Sequence, residues 1–237
     1  METINKLEDI SDEILEIDIK HKNIVGILDL KRFVKLVGLY CSNNKITNII
    51  NFPSTLTYLN CSNNLITSLD NLPNNLKELT CFQNNLTLLD NLPNTLTNLF
   101  CLGNQITSLD YLPANLNHLN CSHNQINSLD CLPINLKCLV CTNNKLTEIN
   151  CLPINLTELN CESNEIISID NIPKNITWLN CSQNKITQIN LLPENICYID
   201  CSNNSITCIS NYPNSIIEFN CIGNPITVLP NLPSRLE

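Results

Sequence analysis

The sequence predicts an α/β-type solenoid, mostly β, with a parallel concave sheet and an extended convex side of polyproline-II or 3-10 character. Three observations carry this. One pattern returns every 20 residues, without insertion, from about Leu36 to the C-terminus. Within each copy the apolar spacing changes from two to three. An Asn follows the first stretch and a Pro closes the second. A short self-similar period marks coils that bury their apolar edge only against the next copy.

The stretch from Leu56 to Asn75, LTYLNCSNNLITSLDNLPNN, shows the unit. Its pattern is L-x-x-L-x-C-x-x-N-x-I-x-x-L-x-x-L-P-x-x. Around Leu59 and Cys61 the apolar period is two, the alternation of a strand with one buried face. From Ile66 through Leu69 to Leu72 the period is three, which fits a polyproline-II or 3-10 segment. A coil of 20 residues must hold a strand, two turns and a return path. A helix of average length takes about 11 residues, so the back is expected to be extended. Stacked strands then pair in parallel, roughly 4.8 Å apart, and the back of each coil is the crossover.

The Asn recurs as Asn44, Asn64, Asn84, Asn104, Asn124, Asn144, Asn164, Asn184, Asn204 and Asn224. It follows the strand, where the chain turns and leaves backbone groups unpaired. A carboxamide both donates and accepts, so these side chains are expected to form an internal ladder. Only four residues are Gly, and Asn, which tolerates left-handed geometry, is expected to make the tight turns.

Cysteine follows the same logic. Of fifteen, ten share one slot: Cys41, Cys61, Cys81, Cys101, Cys121, Cys141, Cys161, Cys181, Cys201 and Cys221. There Cys acts as a small buried hydrophobe. A file of parallel side chains cannot surround zinc tetrahedrally, and parallel Cβ vectors suit a disulfide poorly. No metal and no cofactor is expected. Cys138 and Cys141 form a C-x-x-C, but strand parity turns Cys138 outward and Cys141 inward. Cys131 and Cys151, one repeat apart on the back, are the pair most open to bonding.

In chain order, residues 1–35 read as an N-terminal cap and a degenerate first repeat, and residues 36–237 as ten 20-residue repeats. Ile4, Leu7, Ile10 and Ile14 have helical spacing, which predicts a short capping helix. Ile14, Ile17, Ile19 and Ile24 fit the slots of a first unit with two extra residues, Lys22 standing where Asn belongs. No C-terminal cap is visible after Pro233 and Leu236, so self-association through that end is an expectation.

These residues match the pattern L-x-x-L-x-L-x-x-N-x-L, with Cys in the third apolar slot, and the chain resembles leucine-rich repeat proteins over about 200 residues. That resemblance implies a right-handed superhelix. The short period and the L-x-x-L-P ending are similar to the bacterial effector subclass of the YopM and IpaH type, which carries L-P-x-L-P. Here the first Pro is mostly Asp or Asn, and only Leu229-Pro230-Asn231-Leu232-Pro233 keeps both. The Asn-, Ile- and Cys-rich form also resembles repeat proteins of giant DNA viruses. IpaH-type proteins add a ubiquitin-ligase domain after the repeats. This chain stops at Glu237, within the pattern, so that activity is not carried over.

The formal net charge of −9 opposes nucleic acid, which needs a basic face, and an anionic membrane surface. The start, from Met1 to Asp9, lacks the apolar core of a secretory leader, and no apolar run reaches membrane-spanning length. The expected compartment is therefore the reducing cytoplasm. His21, His118 and His123 do not converge, and no nucleophile stands beside one, so no enzyme is expected.

Function falls to the outward strand positions. Most are small and polar. The exceptions cluster: Phe82, Phe100 and Leu102 in neighbouring coils, with Tyr58, His118 and Val140 nearby, then Trp178 and Tyr198. Aromatic residues are enriched at binding hot spots. Cross-strand packing is the plainer alternative. Glu158, Glu162 and Asp200 on the same face read as solvated charge. The expectation is a non-enzymatic module that holds an unknown protein partner on the concave sheet. A structural or self-assembling protein, or an adaptor recruiting a separate enzyme, are the alternatives.

Overall fold

The computed structural model describes residue 7 and residues 9–210 and 212–227. The fold is a parallel-sheet solenoid of about ten turns, one turn per 20-residue copy. The chain divides into two compact units, residues 1–120 and 121–237.

In the first unit each coil contributes one three-residue strand, and neighbours pair in parallel. Tyr58–Asn60 lies between Gly38–Tyr40 and Glu78–Thr80. Asn98–Phe100 lies between Glu78–Thr80 and His118–Asn120. The pairing Leu39↔Leu59↔Leu79↔Leu99↔Leu119 is in register across these coils. The strand Glu16–Asp18 pairs with Gly38–Tyr40 at an offset of 22 residues, Ile17 opposite Leu39. The second unit repeats the scheme from Cys138–Val140 through Glu158–Asn160, Trp178–Asn180 and Tyr198–Asp200 to Glu218–Asn220.

Among the described residues there is no α-helix. The molecule is thus a β-solenoid, and the α/β label is met only loosely. The reason is length: a coil that already holds a strand and two turns has no room for a helix. The back is extended. It pairs as short parallel strands at Val25–Asp29 with Lys45–Ile50, which carries a register shift at Gly26/Ile27, and at Gln188–Ile189 with Cys208–Ile209. Each return to the sheet is a tight turn closed by the Pro. Leu56 N donates to Pro53 O at 3.1 Å, and Leu76 N to Pro73 O at 3.1 Å.

Of the segment expected to form an N-terminal capping helix, Leu7 is 3-10 and residues 9–14 are not helical. Residues 9–14 form turns, with Ile10 N donating to Leu7 O at 3.0 Å and Ile14 N to Ser11 O at 3.3 Å. The Ser11 hydroxyl also accepts from Glu13 N. Such local side-chain bonding competes with helix. The earlier part of that segment, residues 1–6 and 8, lies outside the described residues, as do Leu229–Pro233 and the C-terminal end from which self-association was expected.

The core is the inside of the coils. Leu56, Leu59, Cys61 and Ile66 are wholly buried, and the equivalent residues of the coils from Leu36 to Ile206 match them; in the last coil Phe219, Cys221 and Ile226 are half-buried. Each such Leu or Ile contributes about 1.5–3 kcal/mol relative to exposure.

Candidate functional site

Two files of hydrogen-bonding side chains, one internal and one at the surface, link each coil to the preceding one and so hold the sheet in register. In the first, Asn64 Nδ2 donates to Cys61 O at 3.0 Å in its own coil and to Cys41 O at 3.0 Å in the preceding one. Its Oδ1 accepts from Ile46 N at 2.9 Å, also in the preceding coil. Asn84 and Asn104 repeat this in the first unit, and Asn44 does so toward Ile19 O and Ile24 N. Asn144, Asn164, Asn184, Asn204 and Asn224 repeat it in the second. Asn124 donates to Cys121 O at 3.0 Å. A single carboxamide thereby satisfies backbone groups that the turn would otherwise strand.

A second file went unread in the sequence. In several coils the residue before the first Leu or Ile reaches back one coil: Asn75 Nδ2 to Ser54 O at 2.8 Å, Asn155 Nδ2 to Ile134 O at 3.0 Å, Asn175 Nδ2 to Ile154 O at 2.9 Å. Thr55, Thr95 and Ser215 do the same with a hydroxyl. The available signal was chemical: this slot holds only short hydrogen-bonding side chains from Thr55 to Ser215.

Asn makes many of the left-handed turns, as expected, including Asn51, Asn71 and Asn91 on the back. One left-handed site recurs on the residue before the ladder Asn, at Asn43, Asn63, Gln83, Gly103, His123, Asn143, Ser163, Gln183, Asn203 and Gly223. Asn is one of several residues that serve there. His123 is accordingly a turn residue, with φ of 51°.

The ten ladder cysteines are free, and all but Cys221 are buried. Burial pushes the thiols of Cys61, Cys121 and Cys161 up to about 12. It drives Cys41, Cys81, Cys141 and Cys181 well above the ordinary value. Such thiols are poor nucleophiles and poor ligands. Among the described residues no group of three or more His, Cys, Asp or Glu is placed to hold a metal ion. Cys131, Cys151 and Cys208 are exposed, and Cys138 is half-buried.

The sheet face differs between the units. In residues 1–120, Phe100 sits opposite Thr80 in register, and Phe82 and Leu102 follow on the same two coils, joined by Gln83 N donating to Leu102 O at 2.9 Å. All three are half-buried. Tyr58 does not join them; its ring meets that of Tyr40 at 4.9 Å, and Lys20 Nζ stands 5.3 Å from the Tyr40 ring. His118 is exposed, its Nδ1 3.2 Å from Asn98 Oδ1. The serines two residues past the strand, Ser42 and Ser62, are buried. The strand ends before them, so the small residues of this column are covered, while the larger Phe82 and Leu102 in the same column stay half-exposed.

In residues 121–237, Trp178 stacks on Tyr198 with centroids 5.0 Å apart and planes 4° from parallel. Val140 joins Trp178, Cys138, Glu158 and Asn160 around a depression of about 340 Å³. Burial, then the Glu158 carboxylate, pushes the Cys138 thiol up to about 11. Tyr198 is raised by burial, then by Asp200 and Glu218.

A parallel sheet of three-residue strands, an asparagine file and a non-helical 20-residue coil define the leucine-rich repeat fold, and the similarities agree. The functional domain of InlJ from Listeria monocytogenes, which includes a cysteine ladder, is 30% identical at a TM-score of 0.73, over 91% of this chain and 55% of that one. YopM, a leucine-rich effector protein from Yersinia pestis, is 24% identical at 0.66, over 94% and 76%. An internalin, inlF, from Listeria monocytogenes is 20% identical at 0.69, over 89% and 74%. The chain spans little more than half the InlJ domain it matches. No protein-family model and no curated protein sequence matches it.

Proposed function

We propose that the chain is a non-enzymatic interaction module that holds a protein partner on its sheet face. One observation carries this reading. Phe82, Phe100 and Leu102 stand half-exposed on neighbouring coils, at positions where the framework is satisfied by Ser, Thr or Asn in other coils. Aromatic and aliphatic side chains left in water at such places cost solubility, and they are the residue types that anchor interfaces. The leucine-rich repeat fold fits a protein-binding role, and the net charge of −9 favours protein over nucleic acid. Among the described residues no helix is long and apolar enough to cross a membrane. All fifteen cysteines are free, which supports a reducing compartment, the cytoplasm.

Peptide display against the immobilised full chain tests this. Selected ligands should lose binding to a variant combining Phe82→Ala, Phe100→Ala and Leu102→Ala, with its melting temperature nearly unchanged. Ligands that bind this variant and a Trp178→Ala variant as tightly as the parent would place recognition elsewhere and end the proposal.

A further inference from the structure

The strands of the sheet in residues 121–237 carry charge of one sign, with the exposed Lys137 directly before the first of them. The sheet's outward positions hold Glu158, Glu162, Asp200 and Glu218, and no Lys or Arg occupies the strands from Cys138–Val140 to Glu218–Asn220. Among the described residues, ion pairs engage Asp12, Glu13, Asp18 and Glu165 but none of these four. Glu162 and Asp200 are held by amides: Gln183 Nε2 donates to Glu162 at 2.7 Å and Asn220 Nδ2 to Asp200 at 2.9 Å. Glu158 and Glu218 are exposed.

One column orders these groups. Register places Glu158 beside Trp178, Trp178 beside Tyr198, and Tyr198 beside Glu218. An aromatic pair is therefore bracketed by a carboxylate on each side. Stacking covers one face of each ring. The remaining face of Trp178 looks toward the Glu158 coil, where the depression lined by Cys138, Val140, Glu158, Asn160 and Trp178 lies. An indole face attracts cations through its quadrupole, most strongly where water is partly excluded, and a guanidinium both stacks on such a face and pairs with a carboxylate.

We propose that this depression takes an arginine side chain from a basic segment of the protein partner, its guanidinium against Trp178 and paired with Glu158. Asp200 and Glu218 extend the same field along the sheet, so flanking basic residues of that segment are drawn in as well. The proposal rests on the reading of the sheet face as the binding surface, and it names the chemistry of the partner there.

Trp178 is the sole tryptophan, so its fluorescence reports on this site alone. The full chain is titrated with short Gly/Ser peptides carrying either arginines or glutamates. The arginine peptide should change Trp178 emission saturably, and its affinity should fall about tenfold between low and high salt as exposed charges are screened. The glutamate peptide should leave emission unchanged. Glu158→Gln with Glu218→Gln should weaken the arginine peptide about tenfold at the same melting temperature, whereas Glu194→Gln on the back should not. An arginine peptide without effect, an equal response to both peptides, or an affinity untouched by the double substitution would overturn the proposal. If display-selected ligands still require Phe82, Phe100 and Leu102, that failure is confined to the basic partner and the sheet-face reading survives.

Discussion

The inside of a coil and its sheet face are made from adjacent residues of the same strand, yet they obey opposite rules. Inward, Leu159 and Cys161 are wholly buried and have counterparts in every neighbouring coil. Outward, Glu158 and Asn160 are open to water, and the residues beside them in register are Trp178 and Asn180. The interior repeats because each coil must fit the next. The face varies because nothing in the stack constrains it. A substitution should therefore move stability or binding according to which way its side chain points, and rarely both.

The largest expected effect is alkaline. The buried ladder thiols keep their proton in the folded state far above the ordinary value, so the native chain binds more protons than the unfolded one at high pH. Stability is intact below the unfolded value of 9.0 and is lost as pH rises from there toward about 12. Each wholly buried thiol withdraws about 1.4 kcal/mol for every pH unit in that window. Urea midpoints at about pH 8 and about pH 10 should differ steeply; equal midpoints would mean the file of thiols is not sealed. Next is Asn164→Ala. It orphans the Leu146 amide and removes one of two donors from the Cys141 and Cys161 carbonyls, which keep Asn144 and Asn184; a buried group left unpaired costs about 1–3 kcal/mol. Denaturant unfolding should show a loss of about 2–3 kcal/mol.

Gly103→Ala should cost less, about 1–2 kcal/mol, because φ is +65° and a Cβ is strained in the left-handed region. The clash of the added Cβ with Gln83 Nε2 adds little, since that side chain can swing away. The same substitution at neutral cost would show that the turn is free to relax. The smallest effect on the fold is expected at the face. Phe100→Ala should barely shift the melting temperature while weakening a sheet-face ligand by more than about 1 kcal/mol. A large fall in melting temperature would move Phe100 from the face into the framework.

Much of this division was legible in the residues. Inward positions recur at fixed places, so Leu59, Cys61 and Ile66 could be placed from spacing alone, and the slot of Asn64 followed from the turn it must satisfy. Three features were not legible. The alternation of apolar residues continues past the strand, so Ser62 looked outward although the strand stops at Asn60 and the serine turns under cover. The left-handed residue could not be read because the geometry is imposed by the stack, and Gln83, His123 and Ser163 accept it as Asn63 does. The second file, Thr55 to Ser215, mixes amides with hydroxyls and so hid its shared task. On the face, the aromatic residues could be singled out, but not how they group. Tyr58 pairs with Tyr40 and leaves the Phe cluster, while Glu158 gains meaning only beside Trp178.

Every ladder carboxamide from Asn44 to Asn224 that reaches another coil reaches backward, toward residues already passed along the chain. The stitching thus has a direction. A coil's amide at Ile46, Ile66 or Leu146 waits for an oxygen supplied by its successor. During synthesis a turn would be fastened only when the following one emerges, and the array would close from its beginning toward its end like a zip. Excising one whole copy, Asn164 and its 19 companions, would leave each retained amide facing an equivalent oxygen, so the array can change length by whole coils while the face changes its selection of side chains.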